Sequence, residues 1–286
     1  MSLFSPKSWF DNSPVVPVLR LSGAIGISSP FDQGLNLAGL ATQIEKAFSV
    51  KKAKAVALQI NSPGGSPVQS KLIFNRIRAL SEEKEIPVYS FVEDVAASGG
   101  YWLALAGDEV YADDSSILGS IGVISAGFGF DKAIEKIGVD RRVYTAGERK
   151  MSLDPFSPEQ PDEIVRLKAL QKDIHKAFRS LVENRRGDKI AEAGDMLFTG
   201  EFWSGTKAVE LGLIDGLGDL RSVMREKFGD KVNLKLIQSK RGFFRRAGIG
   251  GHLASGLPTS QNLTAGFTHD VLTTLETRAL WSRFGL

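Results

Sequence analysis

The sequence contains no cysteine. Disulfides, thiolate nucleophiles and cysteine–zinc sites are therefore excluded, although the compartment is left open. Histidine is almost as scarce. Only His175, His252 and His269 occur, none beside a glycine turn and none in a metal spacing such as H-E-x-x-H. No run of apolar residues is long enough for a membrane-spanning helix. The first residues lack the charged start, apolar centre and cleavage pattern of a signal peptide. Walker A and dinucleotide-binding sequences are absent, so neither a metal nor another cofactor is implied. These absences point to a cytoplasmic chain, or one peripheral at a membrane surface, whose chemistry rests on hydroxyl, amine and carboxylate groups.

What is present is ordinary globular composition. With 42% hydrophobic and 24% charged residues, a chain of 286 residues can build one large domain. The net charge of +3 is too small to imply nucleic acid. The basic residues are scattered rather than set in a recognition motif, so no nucleic-acid partner is expected.

Strands and helices alternate along the first half. Val15–Leu21 reads as a strand and Leu37–Phe48 as an amphipathic helix ended by Lys51, Lys52 and Lys54. Ala55–Ile60 reads as a strand, Pro67–Leu80 as a helix, and Val88–Val92 as a buried strand leading into a helix after Ser98. Further short strands are expected at Glu109–Ala112, Ile121–Ser125 and Arg141–Tyr144, with a helix over Phe130–Ile137 between the last two. A long amphipathic helix follows at Glu159–Asn184, and a last strand at Val232–Ile237. The alternation predicts an α/β layered fold with parallel pairing. Residues 1–14 read as a loose leader, 15–238 as the folded domain and 239–266 as a basic, then Gly/Ser-rich, linker. Residues 267–286 read as an amphipathic helix for oligomer or membrane contact.

Two glycine turns end successive strands, Asn61–Gly65 and Ala96–Gly100. The second places Ser98 between a strand and a helix, the arrangement of a nucleophile elbow, although Ala96 stands where such elbows carry their first glycine. A tight packing turn accounts for the same residues. Gly64 and Gly65 could direct backbone N–H groups at a ligand. With the N–H of Ser98 or Gly99 they could form an oxyanion hole, which suits acyl transfer. A serine needs a base, and the histidines are poorly placed, so lysine is the next candidate. Lys150 follows a predicted strand, with apolar Met151 and Leu153 after it and Arg149 before it to disfavour a second charge, but spacing alone does not single it out among the lysines.

Five segments occur in order: NSPGG at 61–65, ASGGYW at 97–102, GSIGV at 119–123, TAGERK at 145–150 and FWSGTKAVELGLIDGLG at 202–218. Together they resemble the signal peptide peptidase A / protease IV / SohB family of serine peptidases, in its short single-repeat form, over roughly Val15–Leu220. The resemblance implies a ClpP/crotonase-type spiral of ββα units and a Ser/Lys dyad without histidine. Ser98 would be the nucleophile and Lys150 the general base, with Gly65 and Gly99 giving the oxyanion-hole N–H groups. Ser120 would orient the lysine. Gly64, Gly119, Ile121, Gly122 and Tyr101 would meet a short, largely apolar, extended peptide, which Gly119–Val123 could take up as an added strand. The resemblance further implies a homo-oligomeric ring with serine and lysine from adjacent protomers. Members usually carry an N-terminal membrane span, which is not visible here, and the basic Lys240–Arg246 stretch lies outside the resemblance. The C-terminal region could contact the membrane instead. Two other readings remain: an acyl-CoA hydratase or isomerase on the same spiral, for which the only carboxylates next to a glycine turn, Glu93 and Asp94, look more like a loop cap, and a non-catalytic scaffold.

Overall fold

The computed structural model of the chain describes residues 13–27, 34–147, 149–238 and 277–286. The expectations for 1–12, 239–266 and the first part of the terminal helix lie outside the described residues. The chain runs β1 (Val15–Ser22), α1 (Leu37–Phe48), β2 (Val56–Ser62), α2 (Pro67–Lys84), β3 (Val88–Ala97) and α3 (Gly99–Ala104). It continues with β4 (Glu109–Ala112), β5 (Ile117–Gly119), α4 (Asp131–Lys136) and α5 (Pro161–Arg186). The last elements are β6 (Phe202–Ser204), α6 (Gly205–Glu210), β7 (Gly216–Leu217), α7 (Leu220–Phe228) and β8 (Asn233–Leu236).

The α/β class is as expected. The sheet runs β6-β5-β3-β2-β1-β8, and β4 joins β3 to β7. Pairing is parallel except between β5 and β6. Period-two alternation sorts the core. Val56, Leu58 and Ile60 of β2 are buried with Ile44 of α1 and with Ile73 and Ile77 of α2. Ala55 and Ala57 pack in a second cluster with Val223 and Met224 of α7.

Strand β3 divides the sheet. Its first half, Tyr89–Val92, pairs with β4, and its second half, Val95–Ala97, pairs with β5. The β2–β3 register slips between Ile60 and Ser62. Asn61 bridges the slip: its amide oxygen accepts from Val95 N–H at 3.3 Å and its Nδ2 donates to Asp94 at 2.6 Å. This bulge lengthens β3 five residues past the expected Val92 and aims its end at α3.

Two expected strands do not form. Residues 121–125 follow a different strand, β5, and residues 141–144 are exposed without pairing. Ile121 packs into the core, but Ile124, Val143 and Tyr144 have no described strand to pair with. The segment from Ile124 to Phe156 folds mostly on itself, through the tilted rings of Phe128, Phe130 and Phe156 and the Arg141–Asp154 ion pair at 2.8 Å. Ile124, Phe128, Ile137, Val139 and Tyr144 are all more than half exposed. Helix α5 buries only Phe178, Val182 and Arg186, all in its last third.

That last third is fixed by charge. Arg186 is buried, donates to Gly212 C=O at 2.7 Å and pairs with Asp215 at 2.8 Å. Lys189 reaches the same carboxylate at 2.6 Å, and Val110 N–H donates to it at 2.8 Å. Burial pushes the Asp215 carboxyl up, but the hydrogen bonds from Arg186, Lys189 and Val110 together outweigh it and hold it below the usual carboxylate range. Asp215→Ala would leave Arg186 buried and unpaired, at a cost of about 3–5 kcal/mol. Because the folded value is depressed, the carboxylate's contribution is complete above the unfolded value near pH ~4 and is lost as pH falls through the folded value. Chemical denaturation of wild type and Asp215→Asn should therefore differ most at neutral pH and converge in acid.

Candidate active site

Ser98 sits where β3 turns into α3, with φ 52° and ψ −120°. Positive φ is strained for a residue with a side chain, so its surroundings must hold it there. The Ser98 N–H donates to Gly119 C=O at 2.8 Å, and Trp102 N–H donates to Ser98 C=O at 3.1 Å. The side chain is half-buried, makes no cap hydrogen bond to α3 and bonds to no described residue.

The Asn61–Gly65 turn abuts this elbow. A Cβ on Gly64 would lie 2.9 Å from both Ser98 Cβ and Gly99 N, so only glycine allows the two turns to meet. Gly64 is locked by both backbone groups: its C=O accepts from Ile25 at 2.8 Å and its N–H donates to Ser62 Oγ at 3.3 Å. Ser62 Oγ in turn donates to Gly23 C=O at 2.7 Å. Gly65, at φ 141°, presents its N–H 3.4 Å from the position a Cβ on Gly99 would take. The N–H groups of Gly65 and Gly99 have no acceptor among the described residues. Two unpaired backbone donors thus stand beside an unengaged serine hydroxyl, which is an arrangement for receiving a developing anion.

Ser120 is also brought to this place. Ala97 and Gly119 are register partners, so Ser98 and Ser120 leave adjacent strands together. Ser120 is buried, has φ 52° and donates its N–H to Glu201 C=O. Gly122 N–H donates back to Ser120 C=O at 2.9 Å.

Other expected site residues are placed differently. Tyr101 is fully buried and donates its hydroxyl to Leu213 C=O at 2.7 Å. Burial pushes this phenol well above the ordinary tyrosine range. It is a core residue and cannot meet a peptide, because α3 turns its first apolar side chains inward. The Ile121 side chain is likewise fully buried. Gly119 has a strand on each side, β3 and β6, and the Trp203 ring over it. An added strand cannot pair there and would have to begin beyond it, at Ile121–Val123. Gly122 is half-buried next to Gly200. Lys150 is exposed in a turn, with its N–H on Gly147 C=O at 3.2 Å, and makes no hydrogen bond or ion pair with Ser98 or Ser120. That turn is tied to the start of α5 by the Leu153 N–H to Glu163 bond at 2.9 Å.

Sequence reasoning missed three supports of the site. Asn61 and Ser62 precede the glycines and set the turn, as described. His175, on α5, places Nε2 3.2 Å from Ile121 C=O, one residue past Ser120. At the C-terminus a helix over 277–282 leads to Phe284, which packs on Val95 and Ala97 beneath the elbow and meets the Phe202 ring at 5.2 Å. The described part of the tail therefore docks on its own sheet.

A sequence model described as peptidase family S49 matches residues 81–234. A Brucella abortus protein named Na(+)/H(+) antiporter NhaA is 54% identical over 272 residues, 95% of this chain and 37% of that protein. The chloroplastic serine protease SPPA of Arabidopsis thaliana is 32% identical over 232 residues, 77% of this chain and 33% of that protein. The chain thus spans about a third of the length of each of these relatives. Among solved structures, a variant of the 1510-N membrane-bound stomatin-specific protease with a substrate peptide is similar at 14% identity and a TM-score of 0.49. That match covers 82% of this chain and 96% of the other.

Proposed function

Since the chain belongs to peptidase family S49, we propose that it is a serine peptidase that cleaves short, largely apolar, extended peptides with Ser98 and with Lys150 from a neighbouring copy. The observation that carries this reading is the pair of unpartnered N–H groups of Gly65 and Gly99 beside the strained Ser98. In the reaction, a neutral lysine amine takes the Ser98 hydroxyl proton as the oxygen attacks the peptide carbonyl. The oxyanion that forms is met by the Gly65 and Gly99 N–H groups. The lysine ammonium then protonates the leaving amine, and water, deprotonated by the same lysine, releases the acyl group. Ser120, beside Ser98, is the group to hold that ammonium in place.

A base of this kind works only when it is shielded from water. Lys150 is exposed in the protomer, and so are the apolar residues of the surrounding 124–153 segment. A second copy covering this surface would bury the lysine and complete the site. Val68 and Leu72, one turn apart on α2 just beyond Gly65, expose apolar surface for substrate side chains.

The hydratase reading is less well supported. Glu93 is held by Gln59 at 2.8 Å and by Arg20, and Asp94 by Asn61. Neither is placed to move a proton at the hole. The antiporter name belongs to a protein most of which this chain does not span. No helix among the described residues is long and apolar enough to cross a membrane.

The test is labelling with a fluorophosphonate probe, mapped by peptide mass. Modification at Ser98, lost in Lys150→Ala and fading on dilution, is the expected result. Labelling that survives Lys150→Ala moves the base elsewhere. An assembled protein that neither labels nor cuts an apolar peptide favours the scaffold.

A further inference from the structure

Lys46, Lys51 and Lys235 line one cavity of about 680 Å3, together with Val50, Leu236 and Ile237. Lys52 and Lys54 are exposed beside it, since Lys54 N–H donates at 2.9 Å to the carbonyl of Val15, which also lines the cavity. None of the five lysines forms an ion pair or a side-chain hydrogen bond among the described residues. Lys46, in the last turn of α1, suits that helix's negative end. That role does not account for Lys235, which comes from β8. Of the acidic residues at this end of the sheet, Glu82, Glu83 and Glu85 lie at the end of α2 or just after it, two strands and about 10 Å from β1, and Asp230 precedes β8, three residues from Asn233 of the cavity wall. The first two are already paired, with Arg78 and Lys84.

We propose that this lysine face binds the surface of an anionic lipid bilayer. The charge alone would suit any polyanion; what favours lipid is the sequence that enters and leaves the fold here. Val15 begins β1 and Gln238 follows β8, and both line the cavity. The residues before the described fold include Phe4, Lys7, Trp9 and Phe10, and those after it include Lys240, Arg241, Phe243, Phe244, Arg245 and Arg246. Aromatic side chains settle at headgroup depth, and lysines and arginines beside them meet lipid phosphates. The face lies at the start of β1 and β2, whereas Ser98 follows the far end of β3. The bilayer would then lie about 25 Å, the length of β1, from the site, which would open toward water.

The experiment is sedimentation of the full chain with vesicles of phosphatidylcholine alone, or with about one-third phosphatidylserine. The expected result is binding to the anionic vesicles only, released by salt as the Debye length shrinks. Each lysine at such a surface is worth about 5-fold in partitioning, so Lys46→Gln/Lys51→Gln/Lys235→Gln should lose about 100-fold. Its melting temperature and Ser98 labelling should match wild type. Wild-type chain that ignores anionic vesicles, or binds them regardless of salt, overturns the proposal. So does a triple variant that partitions like wild type, which would leave binding to the flanking stretches alone. Duplex DNA that strips the protein from vesicles at equal charge would make nucleic acid the partner instead.

Discussion

Ser98→Ala is expected to lower kcat/KM by about 10^5-fold or more while leaving the melting temperature close to wild type. The serine hydroxyl makes no hydrogen bond to a described residue, so removing it orphans nothing. Alanine keeps the Cβ and hence the same strained φ of 52°. Glycine at this position would be equally inactive but free of that strain, and Ser98→Gly should gain about 1 kcal/mol in denaturant unfolding. The two variants together separate chemistry from stability. Ser98→Ala protein that still turned over the same peptide would remove the residue from the nucleophile's role. Ser98→Gly protein no more stable than wild type would mean that the elbow is not strained in solution.

Lys150→Ala should be as inactive as Ser98→Ala, yet the two together should not be. In a ring where each site takes its serine from one copy and its lysine from the next, half the sites of an equimolar mixture carry Ser98. Half of those face a copy with Lys150, so co-assembled chains should recover about one quarter of wild-type activity. The gain is measured against two near-zero values, which makes it easy to see in a peptide-hydrolysis assay. A mixture as dead as its parts would place both residues of each site within one protomer. That would require the 124–153 segment to swing from its observed position toward Ser98.

Much of this architecture is legible in the sequence, for local reasons. The helical face of Leu37–Phe48 and the apolar run Ala55–Ile60 are decided by periodicity, and both form within one or two residues of where they are expected. The glycine turns are legible because their backbone leaves few alternatives. What was not legible depends on neighbours far along the chain. The β-bulge at Asn61 extends β3 to the elbow, and nothing local to Val92 announces it. Tyr101 follows two glycines like a residue facing a ligand, but the helix that begins at Gly99 turns it toward Leu213, 112 positions away. The apolar residues of Ile121–Ser125 and Arg141–Tyr144 look like buried strands because they are apolar. Ile124, Val143 and Tyr144 instead stay exposed, as the partner copy proposed above would require. The serine and lysine motifs point to the proposed pair without saying how the two are brought together.

Helix α5 is a cantilever. It is clamped between His175 and Arg186, while its free arm from Pro161 to His175 is about 21 Å long. The tip of that arm holds the Lys150 turn through Glu163. A tilt of about 5° at the clamp swings a tip this far out by about 2 Å, more than a general base can tolerate relative to its nucleophile. With Lys150 as the proposed base, a single copy would set its address only coarsely. In the proposed assembly a neighbour gripping the arm would supply the fine adjustment, and catalytic precision would be a property of the assembly and of whatever stiffens or loosens it.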